Sequence, residues 1–70
     1  MSVQNSAFYI NALGTQRAVV LYDAGSTYVF DNRNHVIESS ATNQFTQYSS
    51  NLVNSGYVPG QSWQVPMNPP

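Results

Sequence analysis

No cysteine occurs anywhere in these 70 residues, and there is a single histidine. A domain this short lies near the lower size at which an apolar core alone stabilises a fold, and smaller chains lean on disulfides, metals or other copies of themselves. Disulfides are excluded here. A tetrahedral zinc site would need three carboxylates or a second chain, so no metal ligands are assigned. Two routes to stability remain, dense packing of large side chains and association with other molecules. Nine aromatics (one Trp, five Tyr, three Phe) serve the first, each able to bury roughly 150–250 Å².

Charge narrows the functions open to such a chain. There is no lysine, and two arginines stand against three acidic residues for a net charge of −1. Binding a nucleic-acid duplex through its phosphates needs clustered Lys and Arg, which two arginines do not supply. Attraction to anionic membranes fails for the same reason. With little like-charge repulsion to keep copies apart, self-association is favoured. No apolar run approaches the roughly 20 residues of a membrane span. The opening "MSVQNSAFYINALG" lacks a basic region followed by a sustained apolar stretch, so no signal peptide is expected. The expected location is cytoplasmic or virion-associated.

Periodicity predicts a β-meander over residues 1–38. "AFYINAL" alternates Phe8, Ile10 and Ala12 on one face with Tyr9, Asn11 and Leu13 on the other, a strand pattern ended by Gly14. "RAVVLYD" is apolar on both faces and reads as the central strand. "DAGS" supplies a turn with Gly25 free to take positive φ, and "TYVFD" a third strand. After "DNRN" the chain resumes as "HVIES", a fourth strand, with Phe30 expected opposite His35 across a four-residue turn.

After Ser40 the period changes. Ala41, Phe45, Tyr48 and Leu52 form one helical stripe, predicting a helix over 40–55, capped by Ser39 or Ser40 and followed by Gly56 in the left-handed conformation. "TNQFTQYSSN" holds mediocre helix formers, so this helix depends on docking its stripe onto the sheet. Residues 57–70 read as a Pro-Gly turn, a short strand at "SWQV" and an extended tail imposed by Pro66, Pro69 and Pro70. The expected fold is therefore α+β, one small domain: an antiparallel meander of three to four strands, one helix on one face, and a Pro-rich C-terminal tail.

"YVFDNRNHVIES" concentrates the chemistry, with Asp31, Arg33, His35 and Glu38 within eight positions. A carboxylate beside a histidine suits acid–base work. The neighbouring serines, however, are better explained as a helix-entry pair than as nucleophiles, and Asp31, Asn32 and Asn34 are the residue types that close turns. No catalytic residue is assigned. Arg17 and Arg33 are each able to grip one phosphate or carboxylate bidentately, with Tyr22, Tyr28 or Trp63 as a stacking surface. Tyr9, Tyr57 and Trp63 suit a partner or glycan platform as well as a core. Within this stretch, "FDNRNHVIE" is similar to a segment of the coat proteins of rod-shaped tobamoviruses, with Phe30, Asp31, Arg33, Asn34, Ile37 and Glu38 matching. Those proteins are longer helical bundles, nothing outside the segment follows them, and no function is carried over.

Sheet edges carry the functional expectation. The first strand has no lysine, proline or inward charge to protect it, and the third and fourth hold theirs only at their ends. An unprotected edge is a template for another strand. The expected function is non-enzymatic: a small binding or assembly protein acting through an exposed edge and an aromatic surface, self-associating or gripping a protein target. Its composition brings virion components and phage-encoded inhibitors to mind. The alternative is a module for a neutral glycan or a nucleotide, with a site built from aromatics and Arg17 or Arg33, in one chain or between subunits. The candidate binding residues are Arg17, Tyr28, Arg33, His35, Tyr57 and Trp63. No cofactor is expected.

Overall fold

A computed structural model of the chain describes residues 3–65. Five antiparallel strands form one sheet: β1 (Asn5–Asn11), β2 (Arg17–Asp23), β3 (Ser26–Asp31), β4 (Val36–Ser40) and β5 (Tyr57–Pro59), with helix α1 (Phe45–Asn54) between β4 and β5. The spatial order is β4-β3-β2-β1-β5. The α+β architecture and the central place of "RAVVLYD" agree with the sequence. The Pro-rich tail falls on residues outside those described.

Because β2 is apolar at consecutive positions, it buries both faces, and two cores form on either side of it. On one side Ala18, Val20 and Val29 meet Tyr9, Phe45, Tyr48, Leu52 and Tyr57. The helical stripe thus docks as expected, though Ala41 precedes the helix. On the other side Val19, Leu21 and Phe30 meet Val3, Phe8, Tyr28, Trp63 and Val65. The C-terminal segment therefore covers the face that the helix does not.

Each turn follows from local chemistry. After β1, Asn11 closes the connection through its side chain: its Oδ1 accepts from the amides of Thr15 and Gln16, and its Nδ2 donates to Thr15 Oγ1. The strand consequently stops at Asn11, two residues earlier than the alternation suggests, and Leu13 lies in the turn, 83% exposed. Ala24 and Gly25 both have positive φ (53° and 86°) between paired Asp23 and Ser26, the signature of a two-residue hairpin that follows the sheet twist.

The β3–β4 hairpin differs from the expected one. Phe30 pairs with Val36 rather than His35, and the register shifts between Val29 and Phe30. The turn has three residues, Asn32, Arg33 and Asn34. The amide of Asp31 donates to the His35 carbonyl at 3.0 Å, that of Asn34 donates to the Asp31 carbonyl at 2.9 Å, and Asn34 sits at φ 63°. A tight turn followed by one left-handed residue is a common three-residue hairpin loop, and asparagine tolerates that conformation.

Two further expectations are corrected. Ser39 and Ser40 do not cap the helix. β4 pairs with β3 as far as Thr27↔Ser40, which holds both serines extended. α1 starts at Phe45; the residue before it, Gln44, makes no side-chain capping bond, and the Phe45 amide donates to Asn43 Oδ1 at 3.2 Å. Its entry is also fixed from the sheet: fully buried Thr27 donates its hydroxyl to the Thr42 carbonyl and accepts from the Gln44 amide, both at 2.8 Å. The short strand near the end is Tyr57–Pro59, not "SWQV", and it pairs with β1 through Tyr9↔Pro59, Ile10↔Val58 and Asn11↔Tyr57. Gly60 extends this contact by donating to the Phe8 carbonyl at 2.9 Å. A Cβ at Gly60 would stand 3.2 Å from the Tyr9 carbonyl carbon and 3.3 Å from Ile10 Cβ, so the chain crosses β1 there because glycine allows close approach.

Candidate functional site

Two surface features stand out. The first is the β4 border of the sheet. The strand order makes β4 and β5 the outer strands, so β1 and β3 are interior, which corrects the expectation that the first strand presents a free edge. β5 is three residues long and ends in Pro59; both traits discourage further pairing. β4 has neither. Val36 and Ile37 are 55% and 57% exposed, Glu38 and Ser39 are exposed too, and Glu38 is the strand's one charge.

The second feature is a cleft of about 360 Å³ lined by Gly14, Thr15, Arg17, Asn32 and Trp63. It joins the β1–β2 turn, the first residue of β2, the β3–β4 turn and the C-terminal segment. Trp63 is held in three ways. Its ring meets Phe8 edge-on, with centroids 4.8 Å apart and planes at 73°. Its Nε1 donates to Asn34 Oδ1 at 3.0 Å. The Arg17 guanidinium carbon lies 6.0 Å from the ring centroid, at the limit of a cation–π contact. A second hollow of about 350 Å³ runs beside the helix between Tyr9, Phe45, Thr46 and Val53.

Of the candidate binding residues, only Arg17 and Trp63 come together. Arg33 and His35 are exposed at the β3–β4 hairpin, and neither lines the cleft. Tyr28 packs on the second core, its ring 6.5 Å from that of Phe30. Tyr57 packs on the opposite, helix-side core, and its hydroxyl donates to Gln16 Oε1 at 3.4 Å. Every aromatic is at least half-buried, so rings serve packing first. Gly14, Thr15 and Asn32 line the cleft and Asn34 holds Trp63 in it, roles that sequence reasoning missed. No local signal marks them, because their meeting with Trp63 is set by how distant segments pack.

The acidic cluster resolves into a turn. Asp31 Oδ1 accepts from the amides of Arg33 and His35, both at 2.9 Å. The His35 amide bond is the main reason its carboxyl is held below the usual carboxylate range; the Arg33 amide and the charges of His35 and Arg33 add to this. Glu38 lies opposite Val29 and Ser39 opposite Tyr28, so alternation sends their side chains to opposite faces. Among the described residues, no hydrogen bond joins the side chains of Asp31, His35 and Glu38 to one another. Among the described residues no three His, Asp or Glu side chains converge on a metal-sized site, and no helix is long and apolar enough to cross a membrane.

Together these features define a small α+β domain with an exposed β4 border and a polar cleft. No family model, curated protein or solved structure matches the chain, so the functional reading rests on its own geometry.

Proposed function

We propose that this chain is a non-enzymatic binding and assembly protein that adds its β4 border to a strand of a second copy. The observation that carries the reading is the outermost position of β4 combined with its half-exposed Val36 and Ile37. An unpaired strand offers a row of backbone donors and acceptors, and its exposed apolar side chains are buried when a strand is added. Where natural sheets place lysine or proline to prevent this, the strand reads "VIESS". A protein target with an extended segment would use the same border.

Light scattering after size exclusion tests the proposal on wild type and Ile37→Lys. Wild type should show a concentration-dependent dimer in the micromolar range, and the lysine variant should weaken it by about tenfold or more, since a charge on an added strand acts against pairing. A wild-type monomer throughout, or a dimer indifferent to the substitution, would rule out this border as the interface.

A second reading, a small-ligand module, is favoured by one observation: the cleft in which Arg17 and Trp63 meet.

A further inference from the structure

We propose that the cleft between the β1–β2 turn and Trp63 binds the oxyanion group of a small phosphorylated or carboxylated ligand, with Arg17 as its counter-ion. The inference rests on the small-ligand reading and adds the chemistry of the ligand to it.

Arg17 is exposed at the start of β2, and its charge has no partner within the described residues. The chain has three acidic side chains, Asp23, Asp31 and Glu38, and none forms an ion pair with Arg17; distance accounts for two of them and orientation for the third. Asp23 ends the strand that Arg17 begins, so the two lie about 20 Å apart at 3.3 Å per residue. Glu38 pairs with Val29, which pairs with Val20. That places it two strands across and three residues along from Arg17, on the opposite face. Asp31 pairs with Ala18, the neighbour of Arg17, but alternation turns its side chain to the face opposite that of Arg17. Its carboxylate accepts two backbone amides in its own turn, and the cations acting on it are His35 and Arg33. A guanidinium with five donors is thus held against a wall of a cleft without a carboxylate.

The surrounding donors point the same way. Thr15 Oγ1 accepts from Asn11 Nδ2, which leaves its hydroxyl proton free to donate into the cleft. Asn32 contributes an exposed side-chain amide that bonds to no described residue. Arginine with a hydroxyl and an amide is a donor set suited to oxygen-rich anions. Trp63 supplies a flat wall fixed by Phe8 and Asn34, so its orientation need not be ordered on binding. The volume, about 360 Å³, lies at the small end of ligand sites. It fits one oxyanion with a sugar-sized body.

Trp63 is the only indole and lines the cleft with Arg17, so its fluorescence reports occupancy. The full chain is titrated with glucose 6-phosphate, gluconate, glucose and sodium chloride at matched ionic strength, followed by tryptophan fluorescence and ligand-observed saturation-transfer NMR. Saturable binding is expected from the phosphate, the carboxylate or both, which separates the two sources of the oxyanion, and none from glucose or chloride. Arg17→Gln should weaken it by about tenfold or more, the loss of a charge-assisted hydrogen bond. Arg33→Gln, an equal change in net charge, should leave it unaltered. If Arg17→Gln fails to fold by circular dichroism, Arg17→Lys decides: it should bind several-fold more weakly, and undiminished affinity would overturn the role of the guanidinium. Glucose binding as tightly as its phosphate would overturn the oxyanion inference while preserving the small-ligand reading. Equal losses in the Arg17 and Arg33 variants would overturn the inference as well, and no response to any compound would sink both.

Discussion

At Ala24 the chain spends stability on a turn. Its φ of 53° is left-handed, next to Gly25 at 86°, and an L-residue with a Cβ in that region is disfavoured by roughly 1–2 kcal/mol. Asparagine ahead of glycine is the preferred pair for such a two-residue hairpin. Ala24→Asn is therefore expected to raise the stability by about 0.5–1 kcal/mol in urea unfolding, since the bond from its amide to Gln4 Oε1 involves only backbone on this side. Thr27 works in the opposite sense. Its hydroxyl satisfies two groups of the helix entry, so Thr27→Val should cost about 1–3 kcal/mol through orphaned polar groups, while Thr27→Ser should recover most of the loss. Asp31 gives the fold an acid-sensitive turn. Its folded pKa lies below the ordinary 3.8. The stabilisation is hence present above that ordinary value and is lost as pH falls through the lower, folded one. Asp31→Asn should flatten the acid limb of a stability–pH profile, and an unchanged limb would show that the turn amides do not act through this carboxylate. These turn roles were legible in the sequence for Asp31 and Gly25 because they depend on neighbours two to four positions away. Thr27 was not, because its partners are 15 and 17 residues distant.

At the scale of elements, strands were read better than their ends. β2 and the apolar stripe of α1 followed from periodicity, since burial of a face repeats with the geometry of the element. The start of α1 did not. Ser39 and Ser40 have the chemistry of a cap, but pairing with β3 holds them extended, and the entry is held by Asn43 and by the distant Thr27. β5 was missed because a proline usually argues against a strand; at a sheet border, where no ladder bond is lost, it is tolerated. α1 has neither acidic residues in its first turn nor basic ones in its last. Thr46→Glu should then stabilise the domain by about 0.3–1 kcal/mol through the helix dipole, as read by thermal unfolding at low salt. No gain would mean that the N-terminal turn is already compensated by Asn43 and Thr27.

For the whole molecule, the decisive fact is that both faces of a five-stranded sheet are covered by a chain this short: one by α1, the other by the segment carrying Trp63 and Val65. Removing residues from Gln61 onward should expose Val19, Leu21 and Phe30, and the truncated chain should bind a hydrophobic dye or aggregate, with a midpoint in urea well below that of wild type. A truncated form that unfolds like the full chain would deny the segment its structural part. The sequence by itself determined the class of fold, the central strand, the helix and the absence of covalent staples, because composition and short-range periodicity dictate which segments seek burial. Which strand is left at the border, and which distant side chains meet Arg17, was decided only by tertiary structure. Both depend on where β5 and the C-terminal segment dock, and that docking is a competition among long-range contacts that no local pattern records.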